Sequence, residues 1–267
     1  MKTLEKKPSE YSLAYALSLV VSISLVILYT VGQADLEFMR IFSNIAFAPV
    51  AFAPVVVALE TSRRYGWEFE SKLGLIWLTF LTGLFSWFLG ELVWAIYVLG
   101  LKIDVPYPSI ADVFYLLGYP AFIYGLVMYF MEFRPALSLK TARLGLLIAA
   151  VVIALTSVFL YAPIITSSED PVIISLDLIY ITLDLVILIF SAEAFILTVG
   201  YHSILGGALW KAWLFLVVGA ILLAGADLLF SYLTLLGVYY EGHPSELLYL
   251  WSYVAFCLAL YIHGKEL

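Results

Sequence analysis

The chain has 267 residues, of which 64% are hydrophobic and only 12% are charged, and its mean hydropathy is +1.05. A soluble domain cannot bury so much apolar side chain, so the composition predicts an all-α integral membrane protein. The formal net charge is −7 and the basic residues lie at helix ends rather than in one patch, which argues against a nucleic-acid partner.

Eight apolar runs are long enough to cross the hydrocarbon core of a bilayer, which takes about 20 residues. In chain order they are Tyr11–Val31, Met39–Leu59, Leu73–Leu101, Val113–Met131, Leu144–Ile165, Val172–Val199, Leu209–Tyr239 and Leu247–Ile262. They predict a single integral membrane domain, residues 1–267, folded as a polytopic helical bundle surrounded by membrane lipid.

Basic residues are unevenly distributed over the segments that connect these runs. All of the 13 Lys and Arg residues except Arg40 and Lys102 fall on the side that also holds the two termini. By the positive-inside rule, both termini are therefore expected in the cytoplasm, in a multi-pass protein of the cell membrane. The connection between the third and fourth runs then faces the outside.

Two further features of the composition are informative. The single cysteine, Cys257, excludes an internal disulfide and a thiolate metal cluster. The chain also holds only one glutamine, Gln33, and one asparagine, Asn44. Depletion of these thermolabile amides is typical of a thermophile.

The two halves of the chain carry a similar pattern of polar residues. The matches pair Asp112 with Glu246, Tyr115 with Tyr249, Leu116 with Leu250, Tyr119 with Tyr253, Gly83 with Gly219 and Glu91 with Asp227. The spacing from Asn44 to Glu60 also recurs from Asp177 to Glu193. We therefore expect a 4+4 parallel internal repeat, residues 1–135 and 136–267, with a site where the repeats meet.

Carboxylates inside the apolar runs are the main indication of function. Glu91, Asp184 and Asp227 each cost about 2.5–3.5 kcal/mol at a helix centre unless they face protein or water. At 1.5 Å per residue they lie at similar depths, about 24–28 Å from the inner ends of their runs. We expect them to be the inner contacts of a ligand-binding site, and Asp112, Asp177 and Glu246 to form its outward-facing mouth.

Aromatic residues accompany these acids. The expected walls of the pocket are Trp94, Tyr115, Tyr119, Tyr249 and Tyr253. Carboxylates beside aromatic faces suit a small amine or a metal ion from the outer side, or an amphipathic molecule from the outer leaflet. Asp112, His243 and Glu246 are candidate metal ligands, and the pattern identifies no cofactor.

Structural roles compete with this interpretation. The sequence from Ser109 to Asp112 fits a capping box at a helix start. Outer Tyr and Trp residues commonly form an interfacial belt. Glu60 and Glu193 are expected to pair with neighbouring Arg or Lys residues. Helix capping does not account for the three acids that lie in the middle of their spans.

Two other functions remain open. In a proton- or sodium-coupled transporter, a polar route would continue inward to Glu193 or His202, and Pro49 and Pro54 would break the second span or merely kink it. In an intramembrane aspartyl hydrolase, Asp184 and Asp227 would share one proton. The stretch "AGAD" that ends at Asp227 loosely resembles the GxGD motif of such enzymes but lacks both of its glycines.

The stretch "PSIADVFYLLGYP", preceded by "GELVW", resembles the multi-span sensor region found in front of diguanylate cyclase or histidine kinase modules in bacterial signalling proteins. The resemblance covers Trp87 to Gly125. It implies a sensory role, with Glu91, Asp112, Tyr115 and Tyr119 among the recurring polar residues. Because the chain stops at Leu267 without an output module, we expect a stand-alone binder or a sensor with a cytoplasmic or membrane signalling partner, rather than an enzyme.

Overall fold

The computed structural model describes residues 9–67, 71–133, 139–200 and 209–266, and these ranges contain helices and no strands. Eight of the helices are long and apolar enough to span a membrane. They are α1 Ser9–Val31, α2 Leu36–Arg64, α3 Lys72–Ala95, α4 Ile110–Phe133, α5 Leu139–Thr156, α6 Pro171–Gly200, α7 Leu209–Leu235 and α8 Leu247–Glu266. The predicted all-α bundle with eight spans is confirmed.

Two spans change helix type before they end. α3 continues as a π-helix over Ile96–Leu101, and α5 continues through a π-helix, Ser157–Tyr161, into a last turn at Ala162–Ile165. Short 3₁₀ turns at Gly32–Ala34 and Pro244–Glu246 precede α2 and α8. The seventh span, predicted to reach Tyr239, ends at Leu235 because the chain turns at Gly237 with a φ of +66°, a conformation that suits a residue without a Cβ.

Helix starts are capped by side chains, as the sequence indicates. At the start of α4, the Ser109 hydroxyl accepts from the Ala111 N–H at 3.2 Å, and Asp112 accepts from the Ser109 N–H at 2.6 Å. The predicted capping box is confirmed. α2 begins after Asp35, which accepts from the Phe38 N–H.

The two prolines of the second span do not interrupt it. α2 runs without a break from Leu36 to Arg64 although Pro49 and Pro54 lie inside it. The prolines therefore act within a continuous helix, and the unwound segment that would favour a transporter is not seen in α2.

The spans alternate in direction, which gives the bundle two distinct ends. The acidic end holds the connections 32–35, 102–109, 166–170 and 236–243, where Arg40 of α2 binds Asp104 at 2.8 Å and Glu241 at 2.8 Å. The basic end is the opposite one, where Glu60 pairs with Arg63 and Arg64, as expected for this glutamate.

Most of the remaining described basic residues also lie at the basic end. They are Lys72, Arg143, Lys211 and Lys265, while Lys2, Lys6, Lys7, Arg134 and the side chain of Lys140 fall outside the described residues.

Six of the spans form a closed ring. In order around it, α2 packs on α3, α3 on α4, α4 on α6, α6 on α7, α7 on α8, and α8 on α2. The other two spans lie outside the ring, α1 against α8 and α5 against α6. Side chains that point into the ring are therefore buried among neighbours, and this is where the mid-span carboxylates of α3, α6 and α7 lie.

Close packing within the ring depends on small residues. A Cβ added at Gly219 of α7 would lie 2.7 Å from the Phe256 ring and 3.1 Å from the Ser252 carbonyl oxygen of α8. Gly225, six residues further along the same helix, has nothing within 4 Å of its would-be Cβ. The two glycines thus form a natural pair of test and control positions.

We expect Gly219→Ala to lower the free energy of unfolding by about 1–3 kcal/mol, since Phe256 and the α8 backbone would have to move. Gly225→Ala should be neutral or stabilise α7 by up to about 1 kcal/mol, because alanine is the better helix former. Denaturant titration of the two variants in detergent measures the difference. Equal effects at the two positions would contradict the tight α7–α8 contact.

Candidate functional site

Two of the mid-span carboxyl groups meet at one tyrosine hydroxyl. Tyr119 of α4 reaches across the ring and donates to Asp184 of α6 at 2.6 Å, and its oxygen lies 3.3 Å from Asp227 of α7. Asp227 also accepts from the Tyr249 hydroxyl of α8 at 2.7 Å. Asp184 is 1% exposed, its second oxygen, Oδ2, accepts from no N–H or hydroxyl donor, and its carboxyl lies within hydrogen-bond distance of the Asp227 carboxyl.

The third mid-span carboxyl lies beside this pair. Glu91 of α3 accepts from the Tyr253 hydroxyl of α8 at 3.2 Å. Tyr115 of α4 packs its ring against Gly90, where any Cβ would clash with it, and its hydroxyl also approaches the Glu91 carboxyl. We call these seven residues the central cluster: Glu91, Asp184, Asp227, Tyr115, Tyr119, Tyr249 and Tyr253. The structure therefore brings together all three acids expected at the inner end of the site, with four of its five expected walls.

The fifth expected wall residue, Trp94, lies one turn beyond Glu91 on α3 and is half-buried. It lies on the same side of α3 as Glu91, because residues three apart are neighbours on a helix surface. Its position is compatible with a wall nearer the acidic end.

Accessibility in the cluster decreases with distance from the acidic end. On α7, Thr234 is exposed, Asp227 on the same face is partly accessible and Leu223 is buried. On α6, Tyr180 is partly accessible, whereas Asp184, one turn further in, is buried. Glu91 and Asp227 are thus partly accessible, whereas Asp184 is buried.

The three outer acids are held by hydroxyl groups rather than standing at an open rim. Asp112, 8% exposed, accepts from the Tyr180 hydroxyl at 2.8 Å in addition to its capping contacts. Asp177 accepts from Tyr107. We call Asp112, Asp177 and Glu246 the rim acids, and they were expected to form an open mouth. The structure instead places Asp112 and Glu246 in buried positions.

Glu246 has the most complete set of donors among the rim acids. It is 3% exposed and accepts from the hydroxyls of Tyr29 at 2.7 Å and Tyr239 at 2.8 Å, and from the Gly242 N–H at 2.7 Å. These contacts join α1, the 236–243 connection and the start of α8. Glu246 therefore stabilises the packing of these three segments at the acidic end.

Ionisable groups in the connections support this arrangement. Burial raises the pKa of Tyr107, as does its hydrogen bond to Asp177, and burial followed by the nearby Glu246 charge raises the pKa of Tyr239. Both phenols therefore remain donors at neutral pH. Burial lowers the pKa of His243, whose Nδ1 lies 2.8 Å from the Ser245 hydroxyl, so this histidine adds little positive charge beside Glu246.

A metal ion finds little support at the acidic end. In the described ranges, no three His, Cys, Asp or Glu side chains are arranged to hold one. Asp112, His243 and Glu246, the candidate ligands, are each engaged by separate partners.

Sequence reasoning missed several tyrosines that hold the acids, namely Tyr29, Tyr107, Tyr180 and Tyr239. Only Tyr180 had a recognisable pattern. It lies three residues after Asp177 and four before Asp184, so all three residues share one face of α6.

No basic side chain balances the central cluster in the described part of the chain. Arg63 and Arg64 pair with Glu60 at the opposite, basic end. Arg40, at the acidic end, is held by Asp104 and Glu241, and Lys102 is exposed. Three carboxyl groups in a region of low dielectric constant therefore need protons or a bound cation as their counter-charge.

The ring is closed on the inner side of the cluster by aromatic side chains. Phe122 of α4 packs against Phe80 at 4.9 Å, Trp87 at 4.8 Å and Phe256 at 5.3 Å between ring centroids, and all four residues are buried. We call these four residues the aromatic plug. A polar route from the cluster to the basic end would have to pass through it.

The two residues expected to continue a polar route do not extend the cluster. Glu193 of α6 has its carboxyl against Gly145 of α5, outside the ring, where any Cβ would clash with it. His202 lies outside the described residues.

The chain matches no protein-family model, no curated protein and no solved structure. The chemistry of the site is therefore argued from its own geometry.

The shared hydroxyl gives a direct test of the cluster. Tyr119→Phe keeps the buried ring but removes the donor to Asp184, and we expect it to lower the free energy of unfolding by about 1–3 kcal/mol. Tyr161→Phe is the control, because its exposed hydroxyl contacts only Thr182 in the described structure, and should cost under about 1 kcal/mol. Equal stability of the two variants in a denaturant titration would contradict the Tyr119 contacts.

Proposed function

We propose that this protein recognises a cationic ligand, which reaches the central cluster from the acidic end, and that binding serves a sensory role. One observation carries the proposal. Carboxyl groups from three helices converge on tyrosine hydroxyls, two of these acids are partly accessible, and no basic residue is among their described partners. Tyrosine faces beside carboxylates favour a cation further.

Recognition is better supported than transport. A coupled transporter needs the site to open alternately to both sides of the membrane. Here the aromatic plug closes the cluster toward the basic end, and α2 is unbroken through Pro49 and Pro54. Transport would require both features to rearrange, whereas ligand recognition requires neither.

One observation favours a second candidate, an intramembrane aspartyl hydrolase. The carboxyls of Asp184 and Asp227 lie within hydrogen-bond distance of each other, as a pair that shares one proton requires. Such an enzyme also needs substrate and water at both acids, and Asp184 is almost completely buried. Hydrolysis of a membrane peptide that is lost in Asp184→Asn and Asp227→Asn alike would favour this candidate.

We also propose that the acidic end faces outward and that both termini are cytoplasmic, in the cell membrane. The clustering of Lys and Arg at the basic end supports this orientation through the positive-inside rule. The ligand would then arrive from outside, and a signalling partner would bind the basic end or the lipid-facing helices.

The third element of the proposal is that the chain consists of two repeats, residues 1–135 and 136–267. Matched contacts in the two halves of the ring support it. A Cβ at Gly83 would meet the Gly118 carbonyl oxygen at 3.1 Å, and one at Gly219 would meet the Ser252 carbonyl oxygen at 3.1 Å. Each contact joins the third span of a repeat to its fourth.

Aromatic pairs at the basic end show the same correspondence. Trp77 of α3 packs on His263 of α8 at 4.1 Å between ring centroids, and Trp213 of α7 packs on Tyr129 of α4 at 3.9 Å. Each pair joins the third span of one repeat to the fourth span of the other. Such exchanged contacts are what an approximate twofold axis through the ring would produce.

For the binding role, Asp227→Asn should abolish the response to cations while leaving the protein folded in detergent. The test is the shift of the thermal unfolding temperature on adding candidate cations, with Glu37→Gln as control because Glu37 is exposed in the first turn of α2. An unchanged cation response combined with a lowered unfolding temperature would make Asp227 a structural residue.

For the orientation, single-cysteine variants in a Cys257→Ala background should label asymmetrically in intact cells. We expect a membrane-impermeant maleimide to label Glu169→Cys at the acidic end and to leave Arg143→Cys near the basic end unlabelled until the cells are broken. Both native residues are exposed in the structure, so access is not limited by packing. The reverse labelling pattern would show that the protein has the opposite orientation in the membrane.

A further inference from the structure

We propose that the ligand is an organic diammonium compound that places one ammonium group at Glu91 and the other at Asp227. This inference rests on the proposed function, because it names the class of cation that the central cluster would take.

The central cluster divides into two carboxylate half-sites of the same construction. The Glu91 half-site consists of Glu91 of α3 with hydroxyls from Tyr253 and Tyr115. The Asp227 half-site consists of Asp227 of α7 with hydroxyls from Tyr249 and Tyr119.

In each half-site, one tyrosine comes from the fourth span of the same repeat and the other from the fourth span of the opposite repeat. A single ammonium group would use only one of two equivalent places. A ligand with an ammonium group at each end would use both.

The chemistry of the half-sites favours an organic cation over a metal ion. No three carboxyl or imidazole groups in the described ranges are arranged to hold a metal. Three aromatic residues at or near the acids, Tyr115, Tyr249 and Trp94, are partly accessible. Aromatic faces attract ammonium groups and tolerate the alkyl chain between them. A hard metal ion would instead require further oxygen ligands.

An independent observation points to a ligand at the Asp227 half-site. The Oδ2 atom of Asp184 is buried without a hydrogen-bond partner, while the other oxygen of the same carboxyl contacts Tyr119 in the centre of the cluster. The Asp184 and Asp227 carboxyls also lie within hydrogen-bond distance of each other, so this pair needs either a shared proton or a bound cation. An ammonium group has three N–H donors, enough for the two carboxyl groups of this pair and a phenol oxygen together.

The two half-sites are unequal in this respect. The shared spacing of α2 and α6 pairs Asp184 with Ala51, which is completely buried in the first repeat. The Glu91 half-site therefore has no counterpart of Asp184. We expect the Asp227 half-site to bind an ammonium group more tightly, so that a monoamine occupies it alone.

The test compares α,ω-diamines of three to eight carbons with the n-alkylamines of the same lengths, using calorimetry on the full chain in detergent or nanodiscs. In the wild type, the best diamine should bind at least about tenfold more tightly than its matched monoamine, because its second ammonium group binds at high effective concentration. Sodium and calcium chloride at equal ionic strength are added as separate probes.

The variants separate the two half-sites. Glu91→Gln should reduce diamine affinity to the monoamine level and leave monoamine affinity within about twofold. Glu37→Gln, exposed on α2, should keep the full diamine advantage.

Equal binding of diamines and monoamines by the wild type would overturn the diammonium inference. A diamine advantage that survives in Glu91→Gln would overturn it too. Neither result would contradict cation recognition. Failure of the wild type to bind any amine or metal cation would overturn the proposed function itself. The wild-type comparison decides the matter even if Glu91→Gln does not fold.

Discussion

The arrangement of this protein depends on one constraint: three carboxyl groups within membrane-spanning helices must be solvated by the protein itself. No lysine or arginine in the described ranges reaches them, so phenol hydroxyls take that role. Because the acids lie on α3, α6 and α7 and the tyrosines on α4 and α8, each hydrogen bond joins two different helices. The polar contacts therefore tie together five of the six helices that form the ring.

Much of this could be predicted from the sequence, and the physical reason is the cost of polar groups in lipid. The apolar runs located all eight spans, with ends that differ from the helix ends by at most about five residues, and the seventh span stops short of its predicted end because Gly237 turns the chain. The same cost correctly indicated that Glu91, Asp184 and Asp227 face protein rather than lipid. Their convergence follows from similar depth on helices that surround a common interior.

The hydrogen-bond partners of the acids could not be predicted from the sequence. A tyrosine at a fixed step from an acid suggests a contact within one helix, yet Tyr119 follows Asp112 in the chain and binds Asp184 and Asp227. The burial of Asp112 and Glu246 was equally hidden, because it depends on Tyr180, Tyr29 and Tyr239 arriving from other segments. Contacts between residues so far apart in the chain can be predicted only when the order of the helices around the ring is known.

The interior of the ring has a polar part and an aromatic part, which follow each other along the bundle. Toward the acidic end the interior is lined by carboxyl and hydroxyl groups, and from Trp87 toward the basic end it is filled by aromatic rings in contact. A ligand could therefore influence the basic end only through movement of helices, and α8, which packs against α1, α2 and α7, is the best placed of them to move.

The position of α8 also matters for how the protein is made. It supplies Tyr253 to Glu91 and Tyr249 to Asp227, yet it is translated after every helix that carries those acids. Until it arrives, the nascent chain in the bilayer lacks half of the hydroxyls that solvate its carboxyl groups. Insertion of α8 is thus the step that completes the polar interior, and chains arrested before it would be natural targets for membrane quality control.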